Sequence, residues 1–362
     1  MPLQIMPKHS PDHHSYPQVM GFGALNLDRI YYVDRIVRPD EEGFIISVES
    51  HPGGSAANTI VGLSRLGIGT GYVGKVADDE AGRSLLDDLA SEGVNTRGVS
   101  ISSDRSGACL IMVDRQGERG ILVDPGVNDT ITISDVEMSI DTHPEMGIDT
   151  HPEMGIDTHP EMGIDISKGM NAGSGLELMD NAGLVHFTSF VCKTSDTSFE
   201  TQKQIAARIK AGISFDPGTL YAERGMEALM EFIRGARVVL PNDRELERMT
   251  GCRDVRSGAD MLIEAGAQWV AVKMGSMGCF VTDGTSAIEI PPFNVDVVDT
   301  TGAGDAFNAG FIFGMLQGED IKTCGRMGNI TASISIGHRG AREGLPSRSE
   351  LDAAIKALSG GS

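Results

Sequence analysis

The segment Asp299-Thr300-Thr301-Gly302-Ala303-Gly304-Asp305 carries the clearest chemical pattern in the chain and precedes an apolar run that begins at Ala306. The small residues at 302–304 allow a tight turn where the apolar spacing predicts a helix over 304–316. Free N–H groups and a helix dipole of about half a charge favour an anion at such a helix start. A carboxylate beside bound phosphate makes chemical sense when it accepts a proton from an attacking hydroxyl. The segment therefore predicts an anion hole with Asp305 as general base, although a glycine-rich helix cap is the alternative for this motif alone.

Outside this segment, short apolar strands alternate with helical patterns. The predicted strands are 19–25, 71–76, 184–187, 213–216, 238–240, 269–273 and 278–282. The predicted helices are 56–66, 81–92, 198–211, 225–233, 244–249, 258–265, 304–316 and 324–336. Such alternation indicates βαβ units, so we expect an α/β fold whose central, mostly parallel sheet is covered on both faces.

Two segments interrupt the alternation. Residues 30–50 and 107–124 contain short strands separated by turns. Placed between βαβ units, they are expected to pair into a small separate sheet. A sheet of this kind would act as a lid over the carboxyl ends of the main strands, where open α/β sheets bind ligands.

The two ends of the predicted domain and one insertion have unusual compositions. Residues 1–18 are rich in Pro, His and Ser and are interpreted as a disordered tail, which leaves a domain over 19–358. The octapeptide Ile-Asp-Thr-His-Pro-Glu-Met-Gly occurs three times in tandem from residue 140, and a fourth copy begins at Ile164. The segment 140–165 is interpreted as a low-complexity surface insertion. Metal binding by its histidines (His143, His151, His159) is the alternative.

Composition excludes several classes of function. The 362 residues contain 30 Lys and Arg against 51 Asp and Glu, a formal net charge of −21. This balance argues against a nucleic-acid or anionic membrane surface, because both require clustered basic residues. The five cysteines form no C-x-x-C pair, and the chain contains no run of 18 apolar residues and no signal-peptide pattern. A soluble cytoplasmic protein is therefore expected.

A second glycine-rich stretch, Gly53-Gly54-Ser55-Ala56-Ala57-Asn58, precedes the first predicted helix. Together with 299–311, it resembles the two signatures of the ribokinase-like (PfkB) family of carbohydrate kinases. The resemblance covers about 19–358 apart from the repeat. It implies a three-layer α/β sandwich with a small β-sheet lid. It also implies a phosphotransferase with an alcohol group as acceptor, ATP as co-substrate and Mg²⁺ as cofactor.

The resemblance also assigns candidate residues. The catalytic set is Asp305 with Gly302, Ala303 and Gly304. Substrate contacts are expected from Asn26, Asp28, Gly53, Gly54, Asn58 and Asn128. Nucleotide contacts are expected from Asn242, Lys273, Gly275, Ser276, Gly278 and Asn329. Mg²⁺ would be held through water by Asn242 and Glu245, and K⁺, in members that use it, by Asp299 and the Thr301 carbonyl.

Several of these residues have ordinary alternatives. The pair Asn242 and Glu245 could be a helix capping box, and Lys273 a solvated strand end. Family ribokinases usually carry Gly-Gly-Lys-Gly-Ala-Asn where this chain has 53–58, and they hold ribose with a Glu that 186–190 lacks. Both departures argue against simple ribose and leave other sugars, nucleosides and sugar phosphates open.

Further alternatives concern the activity and the assembly. ATP is the default phosphoryl donor, and ADP is the alternative. A catalytically silent sugar or nucleotide sensor is a second class of function. A related vitamin-precursor kinase is disfavoured because such relatives lack the lid. A homodimer formed through the lid is the oligomeric state considered.

Overall fold

The computed structural model describes residues 16–138, 174–193 and 195–359. The predicted repeat insertion 140–165, and residues 1–15 of the predicted tail, lie outside these ranges. The strands β1 to β13 are Val19–Phe22, Asn26–Val33, Ile45–Gly53, Thr70–Ala77, Asn95–Ser102, Gly107–Val113, Arg119–Asp124, Leu184–Thr188, Gly212–Asp216, Val238–Val239, Val270–Lys273, Cys279–Thr282 and Ala287–Ile290. The helices α1 to α13 are Ser55–Arg65, Glu80–Ser91, Ile133–Glu137, Gly175–Asn181, Thr197–Ala206, Gly218–Ala222, Gly225–Ala228, Met230–Ile233, Asp243–Thr250, Val255–Glu264, Ala303–Leu316, Ile321–Ser335 and Arg348–Ser359.

The main sheet has nine strands in the order β13-β12-β11-β10-β9-β8-β1-β4-β5. All neighbours are parallel from β11 through β5, whereas β12 and β13 form an antiparallel edge. The chain therefore turns back on itself at the β11 end by a hairpin, which places the loop after β11 beside the carboxyl ends of the parallel strands. The predicted mostly parallel sheet is confirmed.

Two hydrophobic cores lie on opposite faces of this sheet. Successive strand residues alternate between them, as the period of two requires: Val270 and Val272 pack into one core and Ala271 into the other. Helices α1, α2, α11, α12 and α13 cover the first face. Helices α3 to α6 and α8 to α10 supply buried residues to the second. The result is the predicted three-layer sandwich.

A separate four-stranded sheet forms the lid, in the order β3-β2-β6-β7. Strand β2 is antiparallel to β3 and parallel to β6, and β7 is antiparallel to β6. The lid strands begin at Asn26 and end at Gly53 in the first segment, whereas the sequence pattern suggested 30–50. The difference arises because Asn26-Leu27-Asp28 continues the strand, although its polar residues resemble a turn.

The folded region starts earlier than the sequence suggested. The Gln18 N–H donates to the Gly69 carbonyl at 2.7 Å, and the Gln18 carbonyl accepts from Gly183 at 3.0 Å. The Tyr16 hydroxyl donates to Glu177 at 2.7 Å. Residues 16–18, assigned above to the tail, therefore pack against the domain. The predicted helix 225–233 is divided at Leu229 into α7 and α8, and strands β5 and β13 had no clear sequence signal.

Candidate active site

The start of α11 forms the centre of the site. Gly302 is the residue before the helix and has a left-handed backbone with φ of 73°, and a Cβ there would lie 2.9 Å from the Ala341 Cα. Glycine is therefore required on both conformational and steric grounds. The first turn of a helix leaves N–H groups without intrahelical acceptors. The Ala303 N–H donates to the Thr300 carbonyl at 3.2 Å, so the amides of Gly302 and Gly304 are more available to an anion.

Asp305 lies in the first turn of α11 and receives hydrogen bonds from α1. The Ser55 hydroxyl donates to Oδ1 at 2.6 Å, and the Asn58 amide donates to Oδ2 at 2.8 Å. Burial raises the pKa of Asp305 to about 6, and these two donors partly offset the effect. Asp216 raises the pKa further and Lys273 lowers it. The carboxylate is therefore expected to be largely ionised at neutral pH, with a pKa that would suit a general base.

The turn before α1 brings its donors into place. Ser55, Asn58 and Thr59 lie at helical spacing on the face of α1 that packs against α11. Gly54 precedes the helix with φ of 110°, and a Cβ there would lie 2.2 Å from the Ala24 carbonyl oxygen. A Cβ on Gly53 would lie 2.5 Å from the Asp28 carboxylate. This glycine pair therefore lets the lid strand join α1 while Asp28 stays close.

A second buried carboxylate lies at the end of β9. The Lys273 Nζ lies 2.6 Å from the Asp216 Oδ2, and the Asn308 amide donates to the same oxygen at 2.6 Å. Burial opposes the charge of Asp216, but the ammonium outweighs it and the pKa is lowered. For Lys273, burial likewise opposes the charge, and Asp216 and Glu245 raise the pKa. Lys273 is thus a buried, paired cation and not a solvated strand end.

The cleft between the lid and the body has a volume of about 470 Å³. Asp28 lines this cleft with Tyr32 from the lid and Thr301 from the body. Burial raises the pKa of Asp28. Among the described residues, two pairs of charged or titratable side chains cross from lid to body, and the second is an ion pair only when His51 is protonated. Arg119 lies 3.7 Å from Asp299, and His51 lies 3.2 Å from Glu343.

A neighbouring cavity of about 410 Å³ lies on the other side of the α11 start. Its walls contain five predicted nucleotide contacts: Lys273, Gly275, Ser276, Gly278 and Asn329. Apolar side chains complete the walls, among them Phe293 and Phe307. The Asn329 amide donates to the carbonyls of Ile290 and Pro291 at 3.2 and 3.1 Å, so it also secures the loop after β13.

A larger cavity of about 720 Å³ lies at the opposite end of the main sheet. Trp269 and Leu316 line it, close to the amino end of β11 and the carboxyl end of α11. None of the predicted site residues lines this cavity. The chemistry therefore concentrates at the two smaller cavities, which meet at the anion hole: Thr300 lines one and Thr301 the other.

The predicted metal residues are all partly engaged with the protein. Asn242 and Glu245 form a capping box at α9, each side chain accepting the other's N–H at 2.8 Å. Asp299 accepts from the Thr301 N–H and hydroxyl at 3.0 and 2.8 Å and from the Gly340 N–H at 3.1 Å. Across residues 16–138, 174–193 and 195–359, no group of three or more His, Cys, Asp or Glu side chains is arranged to hold a metal.

Two predicted substrate contacts have structural roles. Asn128 is fully buried, accepts from the Leu25 N–H at 3.0 Å, and donates to the Leu25 carbonyl and Asn26 Oδ1. The Asn128 amide therefore stabilises the junction between β1 and β2, where Asn26 is one of its hydrogen-bond partners. Neither residue lines the lid cleft. Their contacts would hold the strand that carries Asp28, and direct contact of either residue with a substrate stays a prediction.

Sequence reasoning missed four residues of the site, namely Ser55, Asp216, Asn308 and Arg342. Ser55 stands where family ribokinases have Lys, and that departure was the available signal. Asn308 lies one helical turn after Asp305, so its position toward the same cleft could have been found from spacing. Asp216 is the last residue of β9, at the carboxyl-end edge of the parallel strands, and this position was the available signal. Arg342 follows α12 in a loop and had no local signal.

A glycine-rich helix N-terminus between two cavities, with a carboxylate of raised pKa beside it, is the arrangement expected of a phosphotransferase site on an α/β sandwich. The family model of the pfkB carbohydrate kinases matches residues 17–143 and 168–348. The chain therefore belongs to the pfkB family of carbohydrate kinases, and it is a carbohydrate kinase of an ATP-dependent family.

The relatives agree with this assignment. The chain is 42% identical over 286 residues to an uncharacterized sugar kinase of Archaeoglobus fulgidus, covering 79% of this chain and 98% of that protein. It is 30% identical to an ATP-dependent ribose-1-phosphate kinase of Halopiger xanaduensis, covering 90% and 94%. The crystal structure of Thermotoga maritima ribokinase superposes with a TM-score of 0.75 at 23% identity, covering 94% of this chain and all of that one. In the part of the chain that the structure describes, no helix combines the length and apolar character needed to cross a membrane.

Proposed function

We propose that this kinase transfers the γ-phosphoryl group of ATP to a hydroxyl group of a small sugar or nucleoside. The observation that supports it is the position of the α11 start between the two cavities. Thr301 lines the lid cleft, whereas Thr300, Ala303 and Gly304 line the neighbouring cavity. A phosphoryl group moving from one cavity to the other would pass over this helix N-terminus, beside Asp305.

In the proposed reaction, Asp305 accepts the proton of the acceptor hydroxyl. The acceptor oxygen forms a bond to the γ-phosphorus while the bond from phosphorus to the bridging β–γ oxygen breaks, and that electron pair leaves with ADP. The amides of Gly302 and Gly304 would stabilise the charge of the phosphoryl group during transfer, whereas the Ala303 N–H is bonded to the Thr300 carbonyl. Asp28 would accept hydrogen bonds from sugar hydroxyls.

Mg²⁺ would neutralise the phosphates when bound. Asn242 and Glu245 suit indirect binding through water, because their capping box leaves little freedom for direct coordination. Mg²⁺ characteristically uses few protein ligands together with substrate phosphates and water. The chemistry of this donor set therefore fits the predicted role.

A monovalent cation has less support at Asp299. That carboxylate accepts three hydrogen bonds and lies 3.7 Å from Arg119, so protein groups already balance its charge. We propose that K⁺ is dispensable for this kinase.

The second acceptor candidate is a sugar that already carries a phosphate. Four arginines line the lid cleft. Arg65 is bonded to Glu92 and Arg342 to Asp88, but Arg339 has an exposed side chain and Arg119 reaches only Asp299. Arg339, and Arg119 if it leaves Asp299, would be the cleft-lining guanidinium groups that bind an anionic acceptor. The name of the Halopiger relative, a ribose-1-phosphate kinase, is consistent with such an acceptor.

The deciding experiment is a coupled assay of nucleoside-diphosphate release with Mg²⁺, run across pentoses, hexoses, nucleosides and sugar phosphates. ATP and ADP would be compared as donors, and K⁺ would be replaced by a bulky ammonium ion. We expect turnover with ATP and at least one acceptor. Absence of turnover with every acceptor, despite ligand binding, would favour the sensor.

If sugar phosphates are the best acceptors, Arg119→Met and Arg339→Met should raise the KM for sugar phosphates and leave the KM for free sugars unchanged.

We also propose that the lid pairs two copies of the chain. The lid face turned away from the cleft carries aligned apolar side chains, with Leu110 opposite Leu122 and Tyr31 beside Val48 and Met112. Leu122 is 63% exposed and Val48 50%. Exposed apolar surface on a sheet with open edges commonly marks an interface. Light scattering should show a dimer that Leu122→Asp converts to a monomer, and a monomeric parent protein would exclude this interface.

A further inference from the structure

A buried arginine lies behind the donors of Asp305. Arg342, in the loop after α12, is 5% exposed. Its Nε donates to the Asn58 Oδ1 at 2.8 Å, and its Nη1 pairs with Asp88 on α2. Since the Asn58 Nδ2 donates to Asp305 at 2.8 Å, the three side chains form one chain of hydrogen bonds.

This chain of bonds fixes the orientation of an amide that could otherwise turn over. The oxygen and nitrogen of an Asn side chain differ little in shape but are opposite in hydrogen bonding. Arg342 can only donate, so it holds the Asn58 oxygen on its own side. The Asn58 nitrogen is thereby directed to the carboxylate, which can only accept.

The position of Arg342 is not explained by stability alone. Its Nη2 is buried and has no hydrogen-bond partner among the residues that the structure describes, and such an unpaired donor costs free energy. Burial also lowers the pKa of Arg342. Arg65 anchors the loop by donating to the Arg342 and Leu345 carbonyls at 2.6 and 3.1 Å. These bonds to the loop backbone therefore hold the Arg342 guanidinium in its buried position.

We propose that Arg342 is a positioning residue for the phosphotransfer reaction, which orients Asn58 so that Asp305 is kept ionised and correctly aimed. The inference rests on the proposed role of Asp305 as base. The other charged and titratable groups near Asp305 are Asp216 on β9, Lys273 on β11 and Tyr72 on β4. Arg342 itself interacts electrostatically with Asp305, Asp28 and Tyr72, so Arg342→Met removes a positive charge together with the Asn58 contact. A variant that keeps the charge is therefore needed to isolate the Asn58 contact.

The test is the pH dependence of kcat/KM for Arg342→Met, measured with the best acceptor. Without its arginine, Asn58 can present its oxygen to the carboxylate, which disfavours the ionised form. We expect the acidic limb to move up by about 1 pH unit, and kcat/KM near neutral pH to fall about 10-fold and recover at higher pH. A uniform loss across all pH values would overturn the proposal, because a merely structural role gives that result.

Further variants separate this outcome from misfolding. Arg342→Lys keeps the charge but cannot hold both Asp88 and Asn58, so an intermediate shift is expected. Asp88→Asn breaks the opposite contact of the same arginine and should leave the acidic limb in place. Asn58→Ala combined with Arg342→Met should be no worse than Asn58→Ala alone, because the arginine acts through Asn58.

An additive double variant would contradict the proposal. If Arg342→Met fails to fold, Arg342→Lys becomes the test. An acidic limb that stays in place in Arg342→Lys would then also contradict the proposal. An active Asp305→Asn variant would instead refute the proposed base. Failure of the proposed function and failure of this inference are therefore distinguishable.

Discussion

Asp305 and Asp216 are two carboxylates at the same edge of the main sheet, Asp305 partly buried and Asp216 almost fully buried, and they have opposite properties. Asp305 is held by the neutral donors Ser55 and Asn58, and burial raises its pKa to about 6. Asp216 is held by the ammonium group of Lys273, and its pKa is lowered. Neutral donors leave a carboxylate basic enough to accept a proton, whereas a cation commits it to a permanent ion pair.

The largest effect should come from removing the base. Asp305→Asn keeps the size and polarity of the side chain but cannot accept a proton. We expect kcat to fall by about 10²–10⁴-fold, with the Tm and far-UV spectrum showing a retained fold. Near-normal turnover would show that the carboxylate with the raised pKa is not the catalytic base.

A large effect on stability, rather than on chemistry, is expected at the other carboxylate. Lys273→Met leaves Asp216 and Glu245 buried without their cation, and breaking such a pair costs about 3–5 kcal/mol. Chemical denaturation would measure the loss. The double variant Lys273→Met with Asp216→Asn should recover part of it, because no unpaired charge remains. If Lys273→Met unfolds at the parent denaturant concentration, Asp216 is not held by charge.

A smaller effect should follow from weakening the neutral donors. Ser55→Ala removes the hydroxyl that donates to Asp305 at 2.6 Å. The ionised form then loses a charge-assisted bond, so the acidic limb of kcat/KM should rise by about 1 pH unit. Ser91→Ala, at an exposed position on α2, is the matched control and should leave the profile in place. An unmoved limb in Ser55→Ala would mean that solvent fully replaces the hydroxyl.

The smallest effect is expected from replacing K⁺. Asp299 already accepts hydrogen bonds from N–H groups and lies 3.7 Å from Arg119. Activity in a bulky ammonium salt should therefore stay within about 2-fold of the activity in K⁺. The two salts are compared at equal ionic strength, so that screening is the same. Strong activation by K⁺ would show that the cation displaces Arg119 from this carboxylate.

The local part of the site could be predicted from the sequence. The helix start at Gly302 and the base Asp305 depend on neighbouring residues, and the turn chemistry of 302–304 indicates them directly. Most strands of the main sheet and the helices that cover it likewise follow from apolar periodicity, with β5 and β13 as the exceptions among the strands. The cavity wall formed by Lys273, Gly275 and Gly278, proposed as nucleotide contacts, could be predicted as a unit because these residues lie in one continuous segment.

The long-range contacts could not be predicted in this way. Arg342 and Asn58 are 284 positions apart, and Lys273 and Asp216 are 57 apart. No periodicity in the chain encodes such pairs, because the sheet order and helix packing bring them together. The engagement of Asn128 could not be predicted for the same reason: its partners at the β1–β2 junction are 103 positions away, and only the fold shows that its amide is already used.

The pH dependence of kcat/KM for the parent enzyme tests the central claim most directly. Because the base must be ionised to accept a proton, kcat/KM should rise with pH through the pKa of Asp305 and level off above it. An acidic limb near the pKa of about 6 is predicted, and it should be absent from the residual activity of Asp305→Asn. A limb near the ordinary Asp value of about 4, or the same limb in Asp305→Asn, would contradict the account.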